Sequence, residues 1–127
     1  MAGAKTLKPT ESELEILQVL WQKGKATVRE VHEELITGKD TGYTTTLKLM
    51  QIMNDKGLVE RDDSARTHIY KAAADKENTQ RFLLNKFISN LFGGSSTQLV
   101  MQALGSQEVT HDELDQIQSL IEDLKKK

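Results

Sequence analysis

Cysteine is absent from this chain of 127 residues. Disulfides, thiol nucleophiles and thiolate metal sites are therefore excluded, and the composition fits a protein of the reducing cytoplasm. Histidine is scarce and scattered. His32, His68 and His111 form no ligand-spaced pair, and His32-Glu33-Glu34 lacks the second histidine that a zinc-protease helix requires. Gly93-Gly94 is not followed by the Lys-Ser/Thr of a phosphate-binding loop, nor flanked by the strands of a dinucleotide fold. No catalytic residue, metal ligand or cofactor is expected. No apolar run approaches the roughly 20 residues of a membrane span, so membrane insertion is not expected either. An excess of positive charge is missing too: 17 Lys and Arg face 19 Asp and Glu, a formal net charge of −2. Any nucleic-acid site must then be a local patch on a nearly neutral molecule.

What is present is a series of helix signals. With 37% hydrophobic and 28% charged residues the chain suits one compact domain, or a small domain with an oligomerisation element. Residues 1–9 read as a mobile tail, closed by Pro9, the single proline. Thr10 with Glu13 makes a capping box, and Leu14, Leu17, Val19, Leu20 and Trp21 give a first helix ending near Gly24. Thr27 with Glu30 repeats the box. Val28, Val31, Leu35 and Ile36 make a shorter second helix, with Arg29, His32, Glu33 and Glu34 facing water. Gly38 and Gly42 bracket a turn into a third helix.

That third helix organises the rest. Thr46, Leu49, Met50 and Met53 follow the i, i+3, i+4, i+7 spacing of a buried stripe, which leaves Thr44, Thr45, Lys48 and Gln51 largely outward. Lys56 and Gly57 supply the cation and the left-handed cap of a helix end. The segments 58–61 and 67–72 alternate as short strands around a polar loop, Asp62 to Arg66. Three helices and a hairpin predict a winged helix-turn-helix over residues 10–75, mainly α with a small β-hairpin. In that arrangement Tyr43, Thr44, Thr45, Lys48 and Gln51 approach the major groove of duplex DNA, with Arg66 and His68 of the hairpin beside phosphates or the minor groove.

From residue 76 onward the apolar residues spread beyond one helical face. Phe82, Leu83, Leu84, Phe87, Ile88, Leu91 and Phe92 are too many for a helix with a single neighbour. Gly93 to Ser96 break that helix, and a short apolar one with Leu99, Val100 and Leu104 is expected to end near Gly105. Thr110 with Glu113 opens a last helix striped by Leu114, Ile117, Leu120, Ile121 and Leu124. The reading for residues 76–127 is a helical dimerisation domain, so the partners expected from the residues are duplex DNA and a second copy of the chain.

The residues that carry a family resemblance are LKPTESELEILQVLW from Leu7, ATVREVHEEL, GYTTTLKLMQIMNDKGLVER, THIYKA and FISNLFGGSSTQLVMQAL. In combination they resemble the penicillinase-repressor family of winged-helix regulators, the BlaI, MecI and CopY type. The resemblance implies a homodimeric transcriptional repressor on a palindromic operator. In part of that family a membrane-bound zinc-peptidase sensor triggers cleavage in the C-terminal helices, at a position that falls on Gln102-Ala103 here. Another branch senses copper through C-terminal cysteines, and with no cysteine that mechanism does not carry over. The competing reading is a winged helix used as a protein-interaction module, without DNA.

Overall fold

The computed structural model describes residues 8–127. The greater part of the tail expected from the sequence lies outside the described residues, while Pro9 is buried and Thr10 caps the first helix. The chain divides into two compact units, one ending at Leu83 and one running from Leu84 to Lys127.

The first unit has the order α1 (Glu11–Lys23), α2 (Val28–Leu35), α3 (Tyr43–Lys56), β1 (Val59–Asp62) and β2 (Ile69–Ala72). Local chemistry fixes the helix starts. Thr10 Oγ1 accepts from the Glu13 N–H while Glu13 accepts from the Thr10 N–H, and Thr27 and Glu30 do the same for α2. Gly57 ends α3 with φ 85°, a left-handed conformation that glycine adopts without strain. The strands pair antiparallel, Val59 with Ala72 and Arg61 with Tyr70. Ala26, between α1 and α2, joins the hairpin by exchanging hydrogen bonds with Tyr70 at 2.8 and 2.9 Å. This third, one-residue rung pins the wing to the helices.

The core is Ile16, Leu17, Leu20, Val28, Val31, Met50, Met53, Leu58, Val59 and Tyr70, with Ala26. Three helix stripes and one face of the hairpin supply it. Thr46 is fully buried with Met50 and Met53, and Leu49 is half-buried, as the spacing predicts. Ile16, absent from the expected stripe, is fully buried, whereas Val19 and Trp21 sit at the core's edge. The Trp21 indole N–H donates to the Ala74 carbonyl at 2.9 Å, satisfying its one polar atom.

Some boundaries differ from the sequence reading. Ile36 lies past the end of α2 and is exposed, because the chain turns at Leu35 to reach the loop before α3. β2 begins at Ile69, leaving Thr67 and His68 in the hairpin loop.

The residues beyond β2 contribute α4 (Lys76–Leu91), α5 (Ser96–Ser106) and α6 (His111–Lys125). Gly93 and Gly94, at φ 58° and 88°, carry the break after α4, and the Gly94 N–H returns to the Ile88 carbonyl at 3.0 Å. Gly105 does not stop α5, which runs on to Ser106. Along α4, α5 and α6 no described side chain is buried. Among the described residues, no helix is long and apolar enough to cross a membrane.

Candidate nucleic-acid interface

The helix α3 stands apart at its N-terminus. Its cap is Gly42, with no side-chain acceptor and no acidic residue in the first turn. Every other described helix has a side-chain oxygen on its first-turn N–H groups: Thr10, Thr27, Asp75, Ser95 and Thr110. The first turn of α3 therefore presents unsatisfied donors and the positive end of the helix dipole, with the Thr44 and Thr45 hydroxyls exposed beside it.

A groove of ≈ 510 Å³ opens between the starts of α2 and α3 and the hairpin. Tyr43, Gln51, Arg66 and His68, all singled out from the sequence, line it together with Thr27, Leu47, Thr67, Arg29 and Arg61. Thr44, Thr45 and Lys48 are exposed on α3 and do not line the groove.

Arg29 and Arg61 were missed by sequence reasoning. Arg61 pairs with Tyr70 across the hairpin and shares the inward face of β1 with Val59, at the point where that face runs out of core. The Tyr70 side chain, and then Asp63 at 3.4 Å, push the Arg61 guanidinium further toward the charged form than usual. A neighbouring turn is tied by Asp62, whose Oδ1 accepts from the Ser64 N–H at 3.0 Å; the Ser64 side chain and backbone hold that carboxyl below its ordinary range.

His32 does not face water as expected. It is half-buried, with Nδ1 3.0 Å from Thr46 Oγ1 and its ring edge-on to Tyr43, centroids 5.5 Å apart. The hydroxyl of Thr46 is buried and needs a partner, and a histidine one helix away supplies it.

Lys23, Lys39, Lys56, Arg61 and Lys71 each have an acidic partner within 3.6 Å. Among the described residues of the first unit, Arg29, Lys48 and Arg66 take part in none of these pairs, nor do Lys8, Lys25, Lys76 and Arg81. Of these, Arg29 and Arg66 line the groove together with Arg61, so a chain of net charge −2 still sets three guanidinium groups around one cleft.

A family model described as Penicillinase repressor matches residues 9–123. The chain belongs to this family. Among the relatives of the penicillinase repressor family member described here is the methicillin resistance regulatory protein MecI of Staphylococcus aureus (strain N315), 20% identical over 117 residues, or 92% of this chain and 95% of MecI. The transcriptional regulator BlaI of Mycobacterium tuberculosis (strain CDC 1551 / Oshkosh) is 25% identical over 122 residues, 95% of this chain and 88% of BlaI. The penicillinase repressor of Bacillus licheniformis is 19% identical over 116 residues, 91% of each chain. A solution structure of the DNA-binding domain of the repressor BlaI superposes with a TM-score of 0.51 at 20% identity, covering 61% of this chain and 93% of that domain. At that identity the likeness establishes the winged-helix fold.

Proposed function

We propose that this chain is a cytoplasmic, sequence-specific transcriptional repressor that binds duplex DNA as a homodimer on an inverted-repeat operator. The observation that carries the reading is one groove in a winged helix of this family: Tyr43 at the uncapped start of α3 lines it with Arg29, Arg61 and Arg66, and Lys48 is exposed further along α3. In this reading Thr44, Thr45 and Lys48 meet the major groove, Tyr43 and Gln51 its edge, and Arg66 with His68 the backbone beside the hairpin. Phosphate contacts fix position and base edges give sequence preference. Neither role requires a catalytic residue or a cofactor.

A salt titration tests the DNA face. Lys48→Ala is expected to lower the magnitude of the slope of log affinity against log salt by about 0.9 if it holds one phosphate. If it reads a base instead, discrimination at one position should relax by about 1 to 3 kcal/mol. Operator affinity and slope both unchanged in Lys48→Ala and Arg66→Ala would remove this face from contention. A wild-type chain indifferent to duplex DNA at low salt would favour the protein-interaction module.

For dimerisation, the reading relies on Phe82, Leu83, Phe87, Leu91, Leu99, Val100, Leu104, Ile117, Leu120, Ile121 and Leu124, which are exposed or half-buried along α4, α5 and α6. Apolar surface on this scale is uncommon on a monomer and suits burial between two copies.

Switching off by proteolysis is the part of the proposal that leans most on family membership, with a membrane-bound zinc-peptidase sensor as the enzyme. Gln102 and Ala103 are exposed on α5, and the Gln102 carbonyl already accepts from the Ser106 hydroxyl at 2.7 Å. A peptidase needs an extended strand, so α5 must unwind locally before cleavage. Immunoblots of induced cells with an antibody to the first unit are expected to show a fragment ending within α5. A full-length band throughout complete derepression would mean the switch works another way.

A further inference from the structure

Arg29 occupies the second position of α2 and is exposed, with two acidic residues in easy reach along the sequence. Glu30 is adjacent, and Glu33 lies one turn on, at the i, i+4 spacing that favours a helical ion pair. Neither takes it. The Glu30 carboxylate is committed to the Thr27 N–H at 2.8 Å, and no ion pair between Arg29 and Glu33 exists among the described residues. The guanidinium carbon lies instead 5.5 Å from the centroid of the Tyr43 ring, a cation–π placement that satisfies the positive charge without neutralising it.

The ring that holds it is itself held. His32 packs edge-on against Tyr43 at 82°, and the His32 imidazole is tied through Nδ1 to the fully buried Thr46. The relay runs from the core, through Thr46 and His32, to Tyr43 and then to Arg29, and its last two members line the groove that also contains Arg66 and His68. A guanidinium carbon over the ring leaves N–H donors of the five-donor fork for a phosphate, and a group preset in this way costs less conformational freedom on binding than a swinging lysine would.

We infer that Arg29 is a phosphate-binding residue of the DNA face, and that Tyr43 is the positioning residue that aims it. This rests on the DNA reading above and assigns α2, the helix preceding the reading helix, a charged contact of its own.

The test uses the full-length chain and a labelled duplex recovered from a random pool by selection on the wild type. Arg29→Ala is expected to lower the magnitude of the salt slope by about 0.9, the signature of one lost phosphate contact. Arg29→Lys should keep the slope, since charge is retained, but lose several-fold in affinity as the planar fork of donors disappears. Tyr43→Phe should keep the wild-type salt slope, whatever it does to affinity, because the ring beneath Arg29 is retained. Tyr43→Ala should weaken binding in the wild type and have little further effect in Arg29→Ala, because the two side chains act as one unit. An unchanged slope in Arg29→Ala, alongside a reduced slope in Lys48→Ala, overturns the inference and leaves the DNA reading standing. Additive losses in the Arg29, Tyr43 pair overturn the positioning role. Wild type without affinity for any duplex overturns both readings at once, and both Arg29 and Tyr43 are exposed enough that their replacement should leave the fold intact.

Discussion

The full-length chain carrying Leu120→Glu and Leu124→Glu is expected to sediment as a monomer and to bind an inverted-repeat duplex about 10² to 10⁴ times more weakly than the wild type. The size of the effect comes from linkage rather than from lost contacts to DNA. Two recognition helices joined by a two-fold interface engage the second half-site at a high effective concentration, and a monomer forfeits that advantage. Leu120 and Leu124 are 57% and 55% exposed on α6, one turn apart on the stripe that also carries Ile117 and Ile121. Replacing them costs the isolated chain little, because no described side chain of α6 is buried in it. Placing two carboxylates in an apolar interface costs several kcal/mol unless each finds a partner. Binding to a single half-site should therefore be unchanged, which separates loss of the dimer from loss of the fold. A variant that remains dimeric at micromolar concentration would place the interface elsewhere, and a variant that loses half-site binding as well would show damage to the first unit.

What could be read from the sequence was what is local. The three capping boxes, Thr10 with Glu13, Thr27 with Glu30 and Thr110 with Glu113, all form, because each is complete within four residues. The stripe of Thr46, Met50 and Met53 and the glycine stop at Gly57 needed only helical spacing and a left-handed cap. The groove was only half legible. Tyr43, Gln51, Arg66 and His68 were placed by analogy of position on a reading helix and a wing, but Arg29 read as an ordinary surface residue and Arg61 as the end of a strand. Nothing in the spacing of Arg29 and Tyr43 indicates that α2 and α3 cross where they do. The same applies to His32, whose partner Thr46 is fourteen positions away on another helix. Ile16 was missed for a different reason: α1 buries a wider face than one stripe, because α2, α3 and β2 all pack on it.

The other expectation with a large effect concerns Glu13 and Lys56, which sit 43 positions apart and meet at 2.8 Å. Glu13 is 2% exposed, so its charge is held in the protein rather than in water. Burial pushes its carboxyl pKa up, but the Lys56 ammonium and the Thr10 backbone N–H together outweigh that and hold it below the ordinary carboxylate value. Because the folded-state pKa is lowered, the pair's contribution to stability is fully present above the unfolded-state pKa of about 4.3 and is lost as pH falls through the lower folded-state value. Glu13→Gln keeps an acceptor for the Thr10 N–H but removes the charge, and is expected to destabilise the first unit by about 1 to 3 kcal/mol at neutral pH. Lys56→Met should cost more, about 3 kcal/mol, since it leaves a buried carboxylate without its counter-ion; the lower end of the range for a broken buried pair applies because Lys56 is partly in water. Urea melts of wild type and Glu13→Gln across an acid series provide the decisive comparison. The gap between them should be constant from neutral pH down to about pH 5 and should then shrink as the wild-type carboxyl takes up its proton. A gap that stays the same down to the acid limit would show that Glu13 stabilises α1 as a neutral cap partner, with its charge and Lys56 contributing nothing.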